Sequence, residues 1–124
     1  MRLSYVLLYV GDIEASLCFY RDGAGLQVVE AGPRFARLLP PGEGPDGCIL
    51  ALHLAGDPGR ISKNVQLHFD VPDACAAQQE REARGLRFLG PPRRQPWGAL
   101  VATAADPDGN HVEFVQWDRP GRLA

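Results

Sequence analysis

The sequence predicts an α+β fold made of two tandem βαβββ modules. Several short runs alternate apolar and polar residues, as half-buried strands do. In each half of the chain an Asp precedes a helical pattern, which is apolar residues at helical spacing in the first half and a run rich in Ala, Gln, Glu and Arg in the second. Residues 66–73 also repeat the pattern of residues 5–12, and the same order of elements follows both copies. A duplicated module explains all three observations.

The first module is expected to span residues 1–56. It begins with a strand over residues 3–10, which is dense in β-forming residues. Asp12 is placed to cap a helix, because its side chain can accept a hydrogen bond from a free N–H group of the first turn. Glycines at positions 23 and 25 end this helix before a strand that starts at Leu26. Strands over residues 35–39 and 48–54 complete the module.

The second module is expected to span residues 64–118. Its first strand begins at Gln66, and Asp73 caps a helix over residues 74–84 as Asp12 caps the earlier one. Gly85 and Leu86 close that helix before a further strand. Two final strands follow over residues 99–105 and 111–117, and the basic segment at residues 91–94 is interpreted as a loop tip.

The length and composition of the chain are typical of a single globular domain. The chain has 124 residues, of which 45% are apolar and 23% charged, so we expect a single domain over residues 1–124. No window is apolar enough to span a membrane, and a net charge of -2 gives no reason to expect a nucleic acid partner. Cys18, Cys48 and Cys75 form no metal or disulfide pattern, so we interpret them as buried or partly buried. We expect a cytoplasmic protein.

Short motifs occur in one order along the two halves. They are Val10-x-Asp12, Phe19-Tyr20-Arg21-Asp22 and Gly25-Leu26, then Pro96-Trp97-Gly98 and Asp106-Pro-Asp-Gly-Asn110 before Val112-Glu113-Phe114. In this order and on a repeat, they resemble the vicinal oxygen chelate superfamily. That superfamily includes glyoxalase I, extradiol dioxygenases, methylmalonyl-CoA epimerase, fosfomycin-modifying enzymes and bleomycin-binding proteins. The resemblance implies a glyoxalase-like fold in which eight strands form a U-shaped, half-open barrel around a cavity. It also implies a homodimer.

Strand alternation then predicts which side chains line that cavity. The candidates from three strands are Tyr5, Leu7, Tyr9, Gln66, His68, Asp70, His111, Glu113 and Val115. His53, near the end of the fourth strand, is a further candidate, although histidines are more often polar lining or surface than ligands. His111 adjoins a turn, so we expect it to be exposed. Trp97 lies between Pro96 and Gly98 in a loop, where it either contacts a ligand or forms a structural corner.

The resemblance also implies positions for a divalent metal. Metal-using members take ligands from the first, fifth and eighth strands, which places Tyr5, Gln66 and Glu113 at the site. Only Glu113 is a usual ligand type, because a neutral phenol and an amide oxygen are weak donors. The usual metal site is therefore not favoured, and the cofactor is left unknown. A displaced site using His68, His53 and Glu113 is the alternative.

Two functions follow from these residues. The first is a binding protein that holds a small, partly apolar metabolite or drug, with Glu113 as a cavity carboxylate bonded to Tyr5 or Gln66. The alternative is a metal-dependent lyase, isomerase or dioxygenase in which Glu113 is a ligand or general base. A structural domain would instead have no pocket beside Glu113. Arginines at positions 34, 37, 93 and 94 could meet an anionic group.

Overall fold

The computed structural model describes residues 1–119, which form eight β-strands and two α-helices. The chain divides into two compact units, one of Met1–Lys63 and a second that begins at Asn64. Each unit contains one four-stranded mixed sheet in which the first strand pairs with the last. The prediction of an α+β fold with two tandem βαβββ modules is confirmed. No helix within residues 1–119 has the length and apolar character that a membrane span requires.

The first module contains strands β1 (Tyr5–Val10), β2 (Gln27–Gly32), β3 (Phe35–Leu39) and β4 (Ile49–Leu54) in the sheet order β1-β4-β3-β2. Strands β1 and β4 are parallel, and the other two pairs are antiparallel. Helix α1 (Ile13–Leu17) begins after Asp12, whose carboxylate accepts a 3.1 Å hydrogen bond from the Ala15 N–H. The chain continues as a π-helical turn over Cys18–Gly23.

The second module repeats this plan with strands β5 (Gln66–Asp70), β6 (Arg93–Gln95), β7 (Ala99–Ala105) and β8 (His111–Trp117) in the sheet order β5-β8-β7-β6. Helix α2 (Ala74–Ala83) begins after Asp73, which accepts a 3.0 Å hydrogen bond from the Ala76 N–H. Both capping aspartates thus have the role that the sequence predicted for them. Gly85, at φ +99°, ends α2 in the left-handed region that favours glycine.

The helix-facing side of each sheet forms the core. In the first module Leu8, Val10 and Tyr20 are buried, and in the second Val112 and Phe114 are buried. Alternate residues of β8 are less buried, so one face of this strand packs inward while the other carries His111 and Glu113. The guanidinium of Arg81 packs over the Phe114 ring, with its central carbon 4.5 Å from the ring centroid. Burial lowers the pKa of Arg81, and a neighbouring arginine acts in the same direction.

Two sequence expectations about residues 86–95 are wrong. No strand follows Leu86 directly, and the basic segment expected as a loop tip enters the sheet instead, because β6 consists of Arg93–Gln95. Before it, Phe88 makes only an isolated bridge to Ala104. Pro91 and Pro92 lie between the two and have no N–H to donate, so regular pairing begins beyond them.

The expected burial of the cysteines is also wrong. Cys18, Cys48 and Cys75 are free and exposed. For Cys75 the reason is helical periodicity, since Ala74 and Ala77 turn inward on α2 and Cys75 faces outward.

Candidate functional site

Three strands of the second sheet bring polar side chains together on one face. Glu113 of β8 pairs in register with His68 on the parallel neighbour β5 and with Thr103 on the antiparallel neighbour β7. Residues paired across neighbouring strands point to the same face of a sheet. The strand register therefore places an imidazole and a hydroxyl on either side of the Glu113 carboxylate.

Both oxygens of the Glu113 carboxylate have a hydrogen-bonding partner. The Thr103 hydroxyl donates to Oε2 at 2.8 Å, and His68 Nε2 lies 2.8 Å from Oε1. The Glu113 side chain is only 17% exposed, whereas that of His68 is 41% exposed. The carboxylate is thus largely shielded from water and fixed on two sides, while the imidazole remains partly exposed to solvent.

The turn over residues 106–110 holds β8 in this position. Asp106 is buried, and its carboxylate accepts hydrogen bonds from the N–H groups of Asp108 and Asn110 at 3.0 and 2.8 Å. The buried Asn110 side chain accepts a 3.0 Å hydrogen bond from the Val65 N–H, immediately before β5. The turn therefore ties the start of β5 to the start of β8, and so fixes the register that places Glu113 beside His68.

A pocket of about 310 Å³ opens on the same face of the second sheet. Its polar lining comes from the strands and its apolar lining from Val101 and the segment before β6; the lining residues are Leu89, Gly90, Pro91, Arg93, Gln95, Val101, Thr103, His111 and Glu113. Its volume lies at the lower end of the range for small-molecule pockets. This pocket argues against the alternative of a structural domain, which would have no accessible space beside Glu113.

Two tryptophans lie towards the other end of β8. Trp97 is 45% exposed, and its ring centroid lies 5.2 Å from that of Trp117. Trp117 packs against Ala99, Val101 and Val115, and its indole N–H donates to Asp70 at 2.9 Å. Val115, predicted to line the cavity, is fully buried in this cluster. Trp97 thus remains an exposed aromatic residue next to a buried apolar patch.

The other predicted lining residues belong to the first module. Tyr5 is 48% exposed, and Leu7 and Tyr9 are half-buried on the same side of β1. His53 of β4 lies between two aromatic rings, at 6.3 Å from Tyr9 and 6.4 Å from Phe35 between ring centroids. The guanidinium of Arg60 covers the Tyr9 ring at 4.6 Å from its centroid. These contacts join His53, Tyr9, Phe35 and Arg60, and none of the four supplies a carboxylate comparable to Glu113.

The predicted partners of Glu113 differ from those observed within the second module. Gln66 is exposed and pairs in register with His111, two residues along β8 from Glu113. The sequence analysis did not name Thr103 as a site residue, although the predicted bounds of β7 and β8 are enough to place it opposite Glu113. Because Ala105 pairs with His111 across the turn, the residue two positions back on β7 must face Glu113.

The expectation that His111 is exposed is wrong. This residue is half-buried and lines the pocket, because β8 has a neighbouring strand on each side and His111 pairs with Gln66 and Ala105. The roles assigned to the candidate residues in binding or catalysis remain predictions.

The donor chemistry at the metal positions of the family does not fit a divalent ion well. Tyr5 and Gln66 would supply a phenol and an amide oxygen, while the Glu113 carboxylate is already bonded on both oxygens. Within residues 1–119, no group of three or more His, Cys, Asp or Glu side chains is arranged to hold a metal ion.

Comparisons with known proteins agree with this fold. A family model described as the Glyoxalase/Bleomycin resistance protein/Dioxygenase superfamily matches residues 2–114. A lactoylglutathione lyase of Neisseria meningitidis serogroup B is 27% identical, with the alignment covering 94% of this chain and 91% of that protein.

Solved structures show the same likeness. A glyoxalase/bleomycin resistance protein/dioxygenase from Nocardioides is 26% identical, with a TM-score of 0.76 over 100% of this chain and 88% of that one. TnmS3, described as an antibiotic binding protein from Streptomyces sp. CB03234, is 24% identical, with a TM-score of 0.77 over 94% of this chain and 96% of that one.

Proposed function

Because the chain belongs to the Glyoxalase/Bleomycin resistance protein/Dioxygenase superfamily, we propose that it binds a small, partly apolar metabolite or drug without the divalent metal of the metal-using members. The binding site in this proposal is the pocket of the second module, with Glu113 as its central polar group. TnmS3 has the same fold and is described as an antibiotic binding protein, so the fold is compatible with such a ligand.

One observation carries the proposal. The Glu113 carboxylate lines a pocket of about 310 Å³ while the Thr103 hydroxyl and His68 Nε2 each lie 2.8 Å from one of its oxygens. A carboxylate fixed in this way is a preorganised acceptor for a ligand O–H or N–H group, since an ionised carboxylate accepts about four hydrogen bonds in total. The two bonds already made orient the remaining lone pairs at no further cost in side-chain entropy.

A thermal-shift screen of small molecules, run in parallel with EDTA and with added Zn²⁺ or Mg²⁺, tests the proposal. We expect ligands that raise the melting temperature equally with and without EDTA, and protein purified without chelator that carries no stoichiometric metal. Ligands that stabilise the protein only in the presence of a divalent ion would contradict it.

A matched pair of variants assigns the binding to this pocket. Glu113→Gln removes the pocket carboxylate, whereas Glu82→Gln removes the same charge from the exposed surface of α2. We expect the first variant to lose most of the ligand-induced shift and the second to retain it. Equal shifts in both variants would place the ligand elsewhere.

The second candidate is an enzyme of the same superfamily, a lyase, isomerase or dioxygenase in which Glu113 is a metal ligand or a general base. The His68–Glu113 contact of 2.8 Å favours it, because a carboxylate-oriented imidazole can exchange protons with a bound substrate. The relatives described as lactoylglutathione lyases are 26–27% identical to this chain. Turnover of a screened ligand, abolished in Glu113→Gln, would favour this candidate over simple binding.

We also propose that the protein is a cytoplasmic homodimer. Val28 and Val29 on the edge strand β2 are exposed apolar residues of the kind that a symmetric partner covers. Sedimentation equilibrium should then give twice the chain mass of 13.5 kDa, and a monomer mass at micromolar concentration would contradict the dimer.

A further inference from the structure

The arginines predicted as possible partners of an anionic group have different surroundings in the structure. Arg37 and Arg94 are each held by a carboxylate, at 2.7 and 2.5 Å respectively. Arg93 lines the pocket of the second module and forms no ion pair with any side chain of residues 1–119. It is therefore a charge that faces the pocket and is available to a ligand.

Strand alternation separates Arg93 from its neighbour. Both belong to β6, so their side chains point to opposite faces of the sheet. Arg93 pairs in register with Val101, which also lines the pocket, whereas Arg94 contacts Asp118. The two adjacent residues have the same charge on the same edge strand, and only Arg93 belongs to the pocket lining.

The register sets the distance between the two charged ends of the pocket. Arg93 lies two strands from β8 and two residues along the sheet from Glu113. With a strand spacing of about 4.8 Å and a rise of about 3.4 Å per residue, their Cα atoms are roughly 12 Å apart. The pocket lining also contains the apolar side chains of Val101, Leu89 and Pro91, and Val101 pairs in register with Arg93.

We propose that the ligand is a small organic carboxylate with a hydroxyl or amine donor at its far end and an apolar middle. Its carboxylate pairs with the guanidinium of Arg93, its apolar part covers Val101, and its donor bonds to the Glu113 carboxylate. This inference rests on the proposed function, because it names the class of molecule that the same pocket takes. A single carboxylate matches the one guanidinium that residues 1–119 supply to the pocket lining.

The probe for this inference is 4-hydroxyphenylacetate, which has the three parts in this order. Its neutral analogue 4-hydroxyphenylacetamide lacks only the charge, and phenylacetate lacks only the hydroxyl. Binding is measured through the fluorescence of the two tryptophans, which both lie in the second module, and by calorimetry.

The expected result is that 4-hydroxyphenylacetate binds more tightly than either analogue. Arg93→Gln should weaken this binding about tenfold, the effect of one charge-assisted contact. Arg94→Gln, the matched control, should change the dissociation constant less than twofold. Raising the salt concentration should weaken binding of the acid but not of the amide.

Two outcomes would overturn the inference. In the first, the amide binds as tightly as the acid, or Arg93→Gln and Arg94→Gln behave alike. In the second, neither the acid nor the amide binds while the wider screen yields neutral ligands that depend on Glu113. Either outcome leaves the proposed binding function standing, whereas a screen with no Glu113-dependent ligand of any charge removes that function as well.

Discussion

The hydrogen bond between Thr103 and Glu113 can be tested directly, because it is expected to fix the Glu113 carboxylate. Thr103→Val removes the hydroxyl that donates to Glu113 Oε2 at 2.8 Å and keeps nearly the same side-chain volume. A hydrogen bond to a charged group contributes about 1.5–3 kcal/mol to the free energy of unfolding. The Glu113 side chain is 17% exposed, so water compensates for the lost donor only in part. We therefore expect a loss near the lower end, about 1.5 kcal/mol, or roughly 5 °C in melting temperature.

Urea denaturation of a double-mutant cycle measures this contribution. In the Glu113→Ala background the acceptor is gone, so Thr103→Val should cost almost nothing there, and the coupling energy should be about 1 kcal/mol or more. Thr103→Ser retains the hydroxyl and should retain the coupling. A coupling energy below about 0.5 kcal/mol would refute the view that this hydroxyl fixes the carboxylate.

Three further changes test the scaffold and its charges. Ser16 is buried, and its hydroxyl has no hydrogen-bonding partner in residues 1–119, so Ser16→Ala should raise the free energy of unfolding by about 0.5–1 kcal/mol in urea denaturation. Asp73→Ala should lower it by about 1 kcal/mol through loss of the α2 cap, whereas Asp73→Ser should cost little; equal losses would contradict the capping role. The hydrogen bond from Arg21 lowers the pKa of Asp22 below its usual value of 3.8, so its stabilising contribution is present above that value and is lost as the pH falls through the lowered pKa. Carboxyl NMR should show a low titration midpoint for Asp22 that rises in Arg21→Gln, and an unchanged midpoint would contradict the contact.

Local signals predicted most of the fold. Asp12 and Asp73 identified the two helix starts because the cap is a contact between residues three apart in sequence. Alternation likewise identified the buried face of β8, since Val112 and Phe114 are buried and His111 and Glu113 are not. These features depend on near neighbours along the chain, which is why they could be predicted from the sequence.

The features that sequence reasoning missed depend on pairing between strands. The bond between Thr103 and Glu113 requires the β7–β8 register, and the position of β6 depends on where pairing resumes after Pro92. His111 was expected to be exposed because it adjoins a turn, yet it is half-buried between the neighbouring strands β5 and β7. Each outcome is set by residues distant in sequence, which composition and local spacing do not report.

The two modules have the same strand order, but the polar side chains at their corresponding register positions differ. In the second sheet the central register triplet is His68, Glu113 and Thr103. The corresponding positions of the first sheet, taken from β1, β4 and β3, are Leu7, Ala51 and Arg37.

The backbone positions correspond, but the first module lacks the carboxylate–imidazole pair. Ala51 is fully buried at the position where Glu113 lies in the second module, and Arg37 is bonded to Glu30 at 2.7 Å instead of to a central acid. The features that the two copies share, a capping Asp and a glycine with positive φ after the helix, are those that folding requires. Side chains on the less buried sheet face do not form the helix-side core, so the two modules can differ there and keep the same fold. The same register positions therefore carry a fixed carboxylate beside an imidazole in the second module, whereas the first module carries aromatic rings with His53 and Arg60 among them.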